Sequence, residues 1–148
     1  MARLGSWIEP FPEGIYVRPA DAWIDPSQPK ERALVTHGHS DHARGGHSQV
    51  WATPETLAIM ATRYGEQRGE PVTYGESVRV GEVDVTFVPA GHVLGSAQIV
   101  LDHAGERVVV SGDYKRREDP TCAPFSGRHS PRAASLLPRG RRLGWPAP

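Results

Sequence analysis

Four of the chain's seven histidines fall within residues 34–47, which read LVTHGHSDHARGGH. The apolar residues at the start of this stretch predict a β-strand, and Gly38 lets the backbone turn sharply where the strand ends. The chain must therefore fold so that one strand end carries a dense group of imidazoles and a carboxylate. The residues that one short loop can present together are His37, His39, Asp41 and His42.

Imidazole nitrogen and carboxylate oxygen are ligands that Zn²⁺ and similar divalent ions accept in proteins. A single histidine on a loop is usually an ordinary surface residue. The spacing His-x-His-x-Asp-His directly after a strand instead favours a metal site. His47 stands outside this spacing, behind two glycines, and we expect it to be an ordinary surface residue.

Two further strand-like segments also end in residues that can bind metal. VTFVPAGHVLGS brings His92 after a strand and a turn, and RVVVSGDYK does the same for Asp113. Taken alone, each could be a hydrogen-bonded loop or turn residue. Because all three motifs follow strands, we expect them to converge on one site, where neighbouring glycines permit close approach of the backbone.

Most of the chain has the pattern of short strands, rich in β-branched residues and bounded by Gly, Pro or Asp. One helix is predicted in TPETLAIMATRYG, with Thr53 as its N-cap, Pro54 at its first position and Gly65 at its end. A second, shorter helix is expected near Asp41, and VRVGEVDV predicts a hairpin. Many strands with few helices indicate an α+β fold. The predicted strands are residues 14–18, 22–25, 32–37, 49–53, 77–80, 82–90, 96–102 and 106–113.

The last part of the chain, residues 126–148, differs from the rest in composition. It holds five arginines, four prolines and no acidic residue, whereas the whole chain balances 17 basic against 17 acidic residues. It has no hydrophobic periodicity, so we predict a disordered Arg/Pro-rich tail. A basic arm that binds nucleic acid is the alternative.

The sequence has no feature of a membrane or secreted protein. No apolar run approaches the roughly 18 residues that a membrane span needs, and the N-terminal residues lack the apolar core of a signal peptide. The single cysteine, Cys122, excludes an internal disulfide and fits a reducing compartment. We therefore expect a cytoplasmic protein without membrane partners.

The motifs THGHSDH, AGHVLGSAQ and SGDYK, in this order, resemble the successive metal-binding motifs of the metallo-β-lactamase fold. The residues around them are similar to the bacterial ligase-associated DNA exonucleases, in the branch of that fold that processes nucleic acids. The resemblance covers about residues 7–125. It implies a partial domain over residues 1–125, the N-terminal part of an αββα sandwich. Family members continue with another metal-binding histidine and a cap domain, so we expect a chain truncated or frameshifted after about residue 125.

The resemblance also implies a site for two zinc ions, although Mn²⁺ and other divalent ions suit the same ligands. Three histidines would hold one ion, an Asp-His pair the other, and one aspartate would bridge them. Asp41 and Asp113 would be the catalytic carboxylates, and Asp25 would orient ligands unless it is only a turn residue before Pro26. The implied metal ligands are His37, His39, Asp41, His42, His92 and Asp113.

By this resemblance the chain is a metal-dependent DNA exonuclease that hydrolyses phosphodiester bonds, with a functional association with a DNA ligase. In the shortened chain we expect one ion to bind tightly, the second weakly, and nuclease activity to be weak or absent. A hydrolase of small esters or thioesters with the same fold is one alternative. A non-catalytic metal-binding fragment is another.

Overall fold

The computed structural model describes residues 5–127 and the backbone of residues 133–136. In this part of the chain, strands form two β-sheets of six and five strands, and they are accompanied by one α-helix. The α+β class predicted from the sequence is therefore confirmed.

The six-stranded sheet contains the N-terminal strands in sequence order, from β1 at one edge to β6 at the other. The pairs β1–β2 and β2–β3 are antiparallel, and the remaining three neighbouring pairs are parallel. A single 3₁₀ turn, Arg18–Ala20, connects β2 to β3. The strands are β1 Ile8–Phe11, β2 Gly14–Val17, β3 Ala22–Ile24, β4 Arg32–Leu34, β5 Gln49–Ala52 and β6 Gly69–Pro71.

The five-stranded sheet has the order β11-β10-β9-β8-β7. The predicted hairpin is confirmed: β7 and β8 pair antiparallel, Val80 lies opposite Val83, and Gly81 has a φ of 57° in the turn. Strands β8, β9 and β10 continue the antiparallel pattern. The strands are β7 Ser77–Val80, β8 Val83–Pro89, β9 Ala97–His103, β10 Glu106–Val110 and β11 Ala133–Leu136.

The main core lies between the two sheets. Alternate residues of the long strands face inward, so that Phe87 of β8 and Ile99 and Leu101 of β9 are wholly buried. They belong to one cluster with Ile24 and Leu34 of the six-stranded sheet. Burial of such side chains contributes about 1.5–3 kcal/mol each, which makes this layer the main source of stability.

The helix α1, Pro54–Tyr64, has the ends that the sequence predicts. The Thr53 hydroxyl accepts a hydrogen bond from the Thr56 N–H at 3.3 Å, and Gly65 ends the helix with a φ of 86°. The helix packs on the outer side of the six-stranded sheet. There Met60 and the partly buried Leu57 join a second, smaller apolar cluster with residues of β4 and β5.

The prediction of a short helix near Asp41 is wrong. Residues 40–42 form only a turn, in which the N–H groups of His42 and Ala43 both donate to the His39 carbonyl, at 2.9 and 2.8 Å. A single turn has to fix several backbone torsions for few hydrogen bonds, and two glycines follow at residues 45 and 46. The helix therefore does not propagate.

Strands β1 and β6 were not predicted. They are short, IEPF and GEP, and each contains a proline, which weakens the sequence pattern of a strand. Both lie at the edges of their sheet. Proline is tolerated there because an edge strand needs only part of its N–H groups for pairing.

Strand β11 falls within residues 126–148, where the sequence contains no strand pattern. Its four residues pair in parallel with β10, from Arg107 opposite Ala133 to Val110 opposite Leu136. The rest of this segment beyond Gly127 lies outside the described residues. A disordered tail and the division at residue 125 therefore stay predictions.

Among the residues that the structure describes, no helix is long and apolar enough to cross a membrane.

Candidate metal centre

Three loops meet at one end of the two sheets, and each follows a strand. The loop after β4 carries the histidine-rich motif, the loop after β8 carries His92, and the loop after β10 carries Asp113. Backbone hydrogen bonds fix the loops to each other: the Ala97 N–H donates to the Thr36 carbonyl at 2.8 Å, and the Lys115 N–H donates to the Ala90 carbonyl at 2.9 Å.

Asp113 lies at the middle of a group of imidazoles. Its Oδ2 atom is 3.5 Å from His42 Nε2, 3.7 Å from His37 Nε2 and 3.9 Å from His92 Nε2. His39 completes the group, with its Nδ1 atom 3.3 Å from His92 Nε2. One ligand atom from each of His37, His39, His92 and Asp113 lies within 4.8 Å of the others.

The donor atoms of this group fit a divalent cation. His37 Nε2 and Asp113 Oδ1 are buried and have no hydrogen-bond partner among the described residues. A buried polar atom in this state costs about 1–3 kcal/mol, and a cation would satisfy both atoms. Ligands at about 2.0–2.2 Å from a tetrahedral ion are separated by about 3.3–3.6 Å, close to the spacing of these side chains. We therefore regard this group as the first candidate metal site.

Asp25, His37 and His42 form a second group whose atoms lie within 4.8 Å of one another. The Asp25 carboxylate is occupied by protein donors: Oδ1 accepts from the Thr36 N–H at 2.8 Å, and Oδ2 accepts from the Thr36 hydroxyl at 2.6 Å. The same Oδ2 atom lies 2.8 Å from His42 Nδ1. With both oxygens engaged, Asp25 is placed to orient imidazoles and not to bind an ion itself. It also lies in a turn, with a φ of 48°.

His42 lies near the carboxylates of both Asp41 and Asp113. His42 Nε2 is 3.4 Å from Asp41 Oδ2 and 3.5 Å from Asp113 Oδ2. The His42 side chain is buried, whereas the Asp41 side chain is 74% exposed. His42 Nε2 thus lies within 3.5 Å of a carboxylate oxygen of both Asp41 and Asp113, and a second ion held by these three residues stays a prediction.

The pKa values of His37 and Asp113 favour the protonation states that metal binding requires. Burial lowers the pKa of His37 to about 4, although Asp25 and Asp113 oppose the shift. The hydrogen bond with His42 is the main cause that holds the pKa of Asp113 at about 2. Near neutral pH the His37 imidazole is therefore neutral and the Asp113 carboxylate is ionised, as metal ligands must be.

His42 behaves differently. Burial alone would lower the pKa of His42, but the hydrogen bonds and charges of Asp113 and Asp25 outweigh it and raise this pKa to about 10. Without a cation, this imidazole carries a proton and forms ion pairs with both carboxylates. Any ion that binds His42 Nε2 must displace that proton.

The prediction that His47 is a surface residue is wrong. The side chain is buried, and its Nδ1 atom accepts a hydrogen bond from the Lys30 N–H at 3.1 Å. Gly46, with a φ of 90°, lets the chain pass close to Pro29 and turns the imidazole inward. His47 therefore holds two loops together outside the metal-binding groups.

The two-sheet architecture with this group at the strand ends is that of the metallo-β-lactamase fold. A solved structure with this architecture, a mutant of the CmlA β-hydroxylase, aligns with a TM-score of 0.54 and 16% identity. The alignment covers 70% of this chain and 29% of that chain, and at this identity it speaks to the fold alone. No family model matches the chain.

Curated relatives carry names that refer to nucleic acids. The chain is 34% identical over 128 residues to a probable DNA ligase of Opitutus terrae, covering 84% of this chain and 12% of that protein. It is 31% identical over 132 residues to a ribonuclease of Thermus thermophilus, covering 66% of this chain and 31% of that protein. It is 31% identical over 144 residues to the cleavage and polyadenylation specificity factor subunit 3-I of Arabidopsis thaliana, covering 76% of this chain and 21% of that protein. The chain thus spans less than a third of the length of each of these relatives.

Proposed function

We propose that this chain is the metal-binding part of a metal-dependent nuclease that hydrolyses phosphodiester bonds. The observation that carries the proposal is the group around Asp113, in which His37 Nε2 and Asp113 Oδ1 are buried without a hydrogen-bond partner in the part of the chain that the structure describes. The names of the relatives support a nucleic-acid substrate over a small ester or thioester.

We further propose DNA as the substrate and exonuclease as the type, in the manner of the ligase-associated enzymes. In support, the relative that matches 84% of this chain is named a probable DNA ligase, and the match is only 12% of its length. A protein of that name that contains such a segment supports a functional association with a DNA ligase. The ribonuclease among the relatives makes RNA the competing substrate. A cytoplasmic location stays a prediction from the sequence.

In this proposal the first ion would be held by His37, His39, His92 and Asp113, and the second would be held by Asp41, His42 and Asp113. Divalent ions at such a site, Zn²⁺ or Mn²⁺, activate water and offset negative charge on the phosphodiester. The expected weaker binding of the second ion follows from its smaller number of ligands among the described residues.

The chain's own residues have separable tasks in the hydrolysis. The exposed carboxylate of Asp41 stands at the solvent side of the group, where it can accept a hydrogen bond from the attacking water. Asp113 supplies its ionised carboxylate to both positions. The basic run Lys115–Arg116–Arg117 begins two residues after Asp113, and its charges would attract the phosphates of a bound strand.

The experiment uses end-labelled single-stranded DNA, double-stranded DNA and RNA, with Zn²⁺ or Mn²⁺ added to the purified chain and with a chelator as control. We expect metal-dependent release of mononucleotides from DNA, even at a low rate. The Asp113→Asn variant should lose this release. The Asp84→Asn variant, which changes an exposed acid paired with Arg79 in the β7–β8 hairpin, should retain it.

The products separate the alternatives. If the products are internal fragments and not mononucleotides, the activity is that of an endonuclease and not of an exonuclease. If only RNA is cleaved, the substrate is RNA and not DNA. Tight metal binding with no cleavage of any nucleic acid would overturn the proposal that the chain hydrolyses nucleic acid by itself. In that case, turnover of a thioester would identify the small-molecule hydrolase, and its absence the non-catalytic fragment.

A further inference from the structure

Thr36 is a buried residue between the carboxylate of Asp25 and the imidazole of His37. Its hydroxyl oxygen lies 2.6 Å from Asp25 Oδ2 and 2.9 Å from His37 Nδ1. We propose that Thr36 is a positioning residue that relays the orienting effect of Asp25 to His37 and so fixes the nitrogen that faces the metal. The inference rests on the proposed metal centre.

The direction of the hydrogen bonds follows from the number of protons. A carboxylate oxygen only accepts, so the single hydroxyl proton of Thr36 is donated to Asp25. The hydroxyl oxygen must then accept from His37, which requires the proton of that imidazole on Nδ1. The other nitrogen, Nε2, is left with its lone pair. It is the atom that faces Asp113 at 3.7 Å, and no described residue forms a hydrogen bond with it.

Asp25 sets the second imidazole directly. His42 Nδ1 lies 2.8 Å from Asp25 Oδ2, which leaves His42 Nε2 facing Asp41 and Asp113. One buried carboxylate therefore orients a ligand of each proposed ion, His42 by direct contact and His37 through Thr36. Loss of the Thr36 hydroxyl should therefore disturb the orientation of His37, while His42 keeps its contact with Asp25.

Thr36 also joins the loops by packing. A Cβ atom added at Gly112 would lie 3.0 Å from Thr36 Cβ and 3.1 Å from its methyl carbon. The loop that carries Asp113 thus rests on the Thr36 side chain. Since valine keeps the shape and lacks the hydroxyl, and serine keeps the hydroxyl and lacks the methyl, two variants separate the relay from the packing.

The first measurement is made on the metal-free protein. Imidazole nitrogen chemical shifts should identify His37 in the parent as the tautomer protonated on Nδ1. In Thr36→Val this preference should be lost, and in Thr36→Ser it should be retained. A parent protein with His37 protonated on Nε2 would overturn the proposal whether or not any variant folds.

The second measurement is zinc affinity by competition with a chelator. Loss of a residue that orients a ligand typically weakens metal binding by about 10- to 100-fold, and we expect this of Thr36→Val. Thr36→Ser should bind zinc much as the parent does. Thr56→Val is the matched control, because it also removes a wholly buried threonine hydroxyl. The partners of that hydroxyl among the described residues are the Gly95 carbonyl and Thr53.

The outcomes distinguish the two proposals. If Thr36→Val keeps the tautomer of His37, the relay is wrong, and any loss of zinc affinity came through packing. If the tautomer changes in Thr36→Val while the parent itself binds no zinc, the relay stands and the proposed metal centre fails. A drop in zinc affinity of equal size in Thr56→Val would also overturn the relay.

Discussion

At the scale of single residues, the candidate site consists of side chains that can bind a metal ion and of the groups that hold them. The sequence could predict these candidate ligands, because their chemistry and their spacing after strands are visible in the chain. It could not predict Thr36 or His47, because their roles depend on neighbours that are distant in sequence. The hydroxyl of Thr36 acquires its role only when Asp25, eleven positions earlier, lies against it.

The first prediction concerns Asp25, whose carboxylate accepts from Thr36 and His42. In Asp25→Asn, one oxygen becomes an NH₂ group that faces a donor, so at least one buried hydrogen bond is lost. We expect the free energy of unfolding to fall by about 1–3 kcal/mol. Urea unfolding of the metal-free protein measures this. Asp84→Asn, at an exposed ion pair, should change the stability by less than about 1 kcal/mol. An Asp25→Asn protein as stable as the parent would contradict the network.

The second prediction concerns Gly112, which has a φ of 58° and packs on Thr36. In Gly112→Ala, the added Cβ collides with Thr36, so the loop with Asp113 must shift and zinc affinity should fall by about tenfold or more. Gly105→Ala is the matched control, because Gly105 also has a positive φ, 79°, but has no atom within 4 Å of the added Cβ. Equal losses of zinc affinity in both variants, measured by chelator competition, would show that backbone strain and not the collision matters.

At the scale of elements, helix α1 supports both histidine-bearing loops. A Cβ at Gly38 would lie 2.8 Å from Ile59, and a Cβ at Gly95 would lie 2.8 Å from Glu55, so both loops lie directly against the helix. The ends of α1 could be predicted because capping residues are a local signal. Edge strands β1 and β6 could not, because proline interrupts the alternation on which strand prediction depends.

The third prediction tests the start of this helix. Thr53 caps α1, and its hydroxyl also donates to the Gly95 carbonyl at 2.8 Å. In Thr53→Ala both contacts are lost, and we expect destabilisation by about 1 kcal/mol or more. Urea unfolding compares it with Thr62→Ala, which removes an exposed hydroxyl that donates to the Ala58 carbonyl within the helix. Thr62→Ala should stay within about 0.5 kcal/mol of the parent. If Thr53→Ala were equally mild, the cap would not stabilise the helix.

At the scale of the whole molecule, the candidate metal centre connects the two sheets. Its histidine-rich loop follows β4 of the six-stranded sheet, whereas His92 and Asp113 follow β8 and β10 of the other. An ion held by both would link the sheets. The sequence predicted this convergence only as a shared position after strands, because the pairing of sheets is set by the core and not by the motifs.

The fourth prediction follows from that link. Zinc at about 100 times its Kd should stabilise the folded chain by about 2.7 kcal/mol and raise its thermal midpoint, because it binds the folded form alone. Thermal unfolding with zinc and with a chelator measures the difference. The shift should be small in Asp113→Asn and full in Asp84→Asn. A shift of the same size in Asp113→Asn would place the bound zinc elsewhere.

The two unpredicted edge strands have a further consequence, for the behaviour of many copies in solution. Each contains the dipeptide Glu-Pro: Glu9 and Pro10 in β1, Glu70 and Pro71 in β6. Proline removes an N–H that an added strand would need, and the glutamates place like charges on any two edges that meet. The six-stranded sheet therefore discourages growth into fibrils at both of its ends, so the chain can keep an open sheet without recruiting its neighbours.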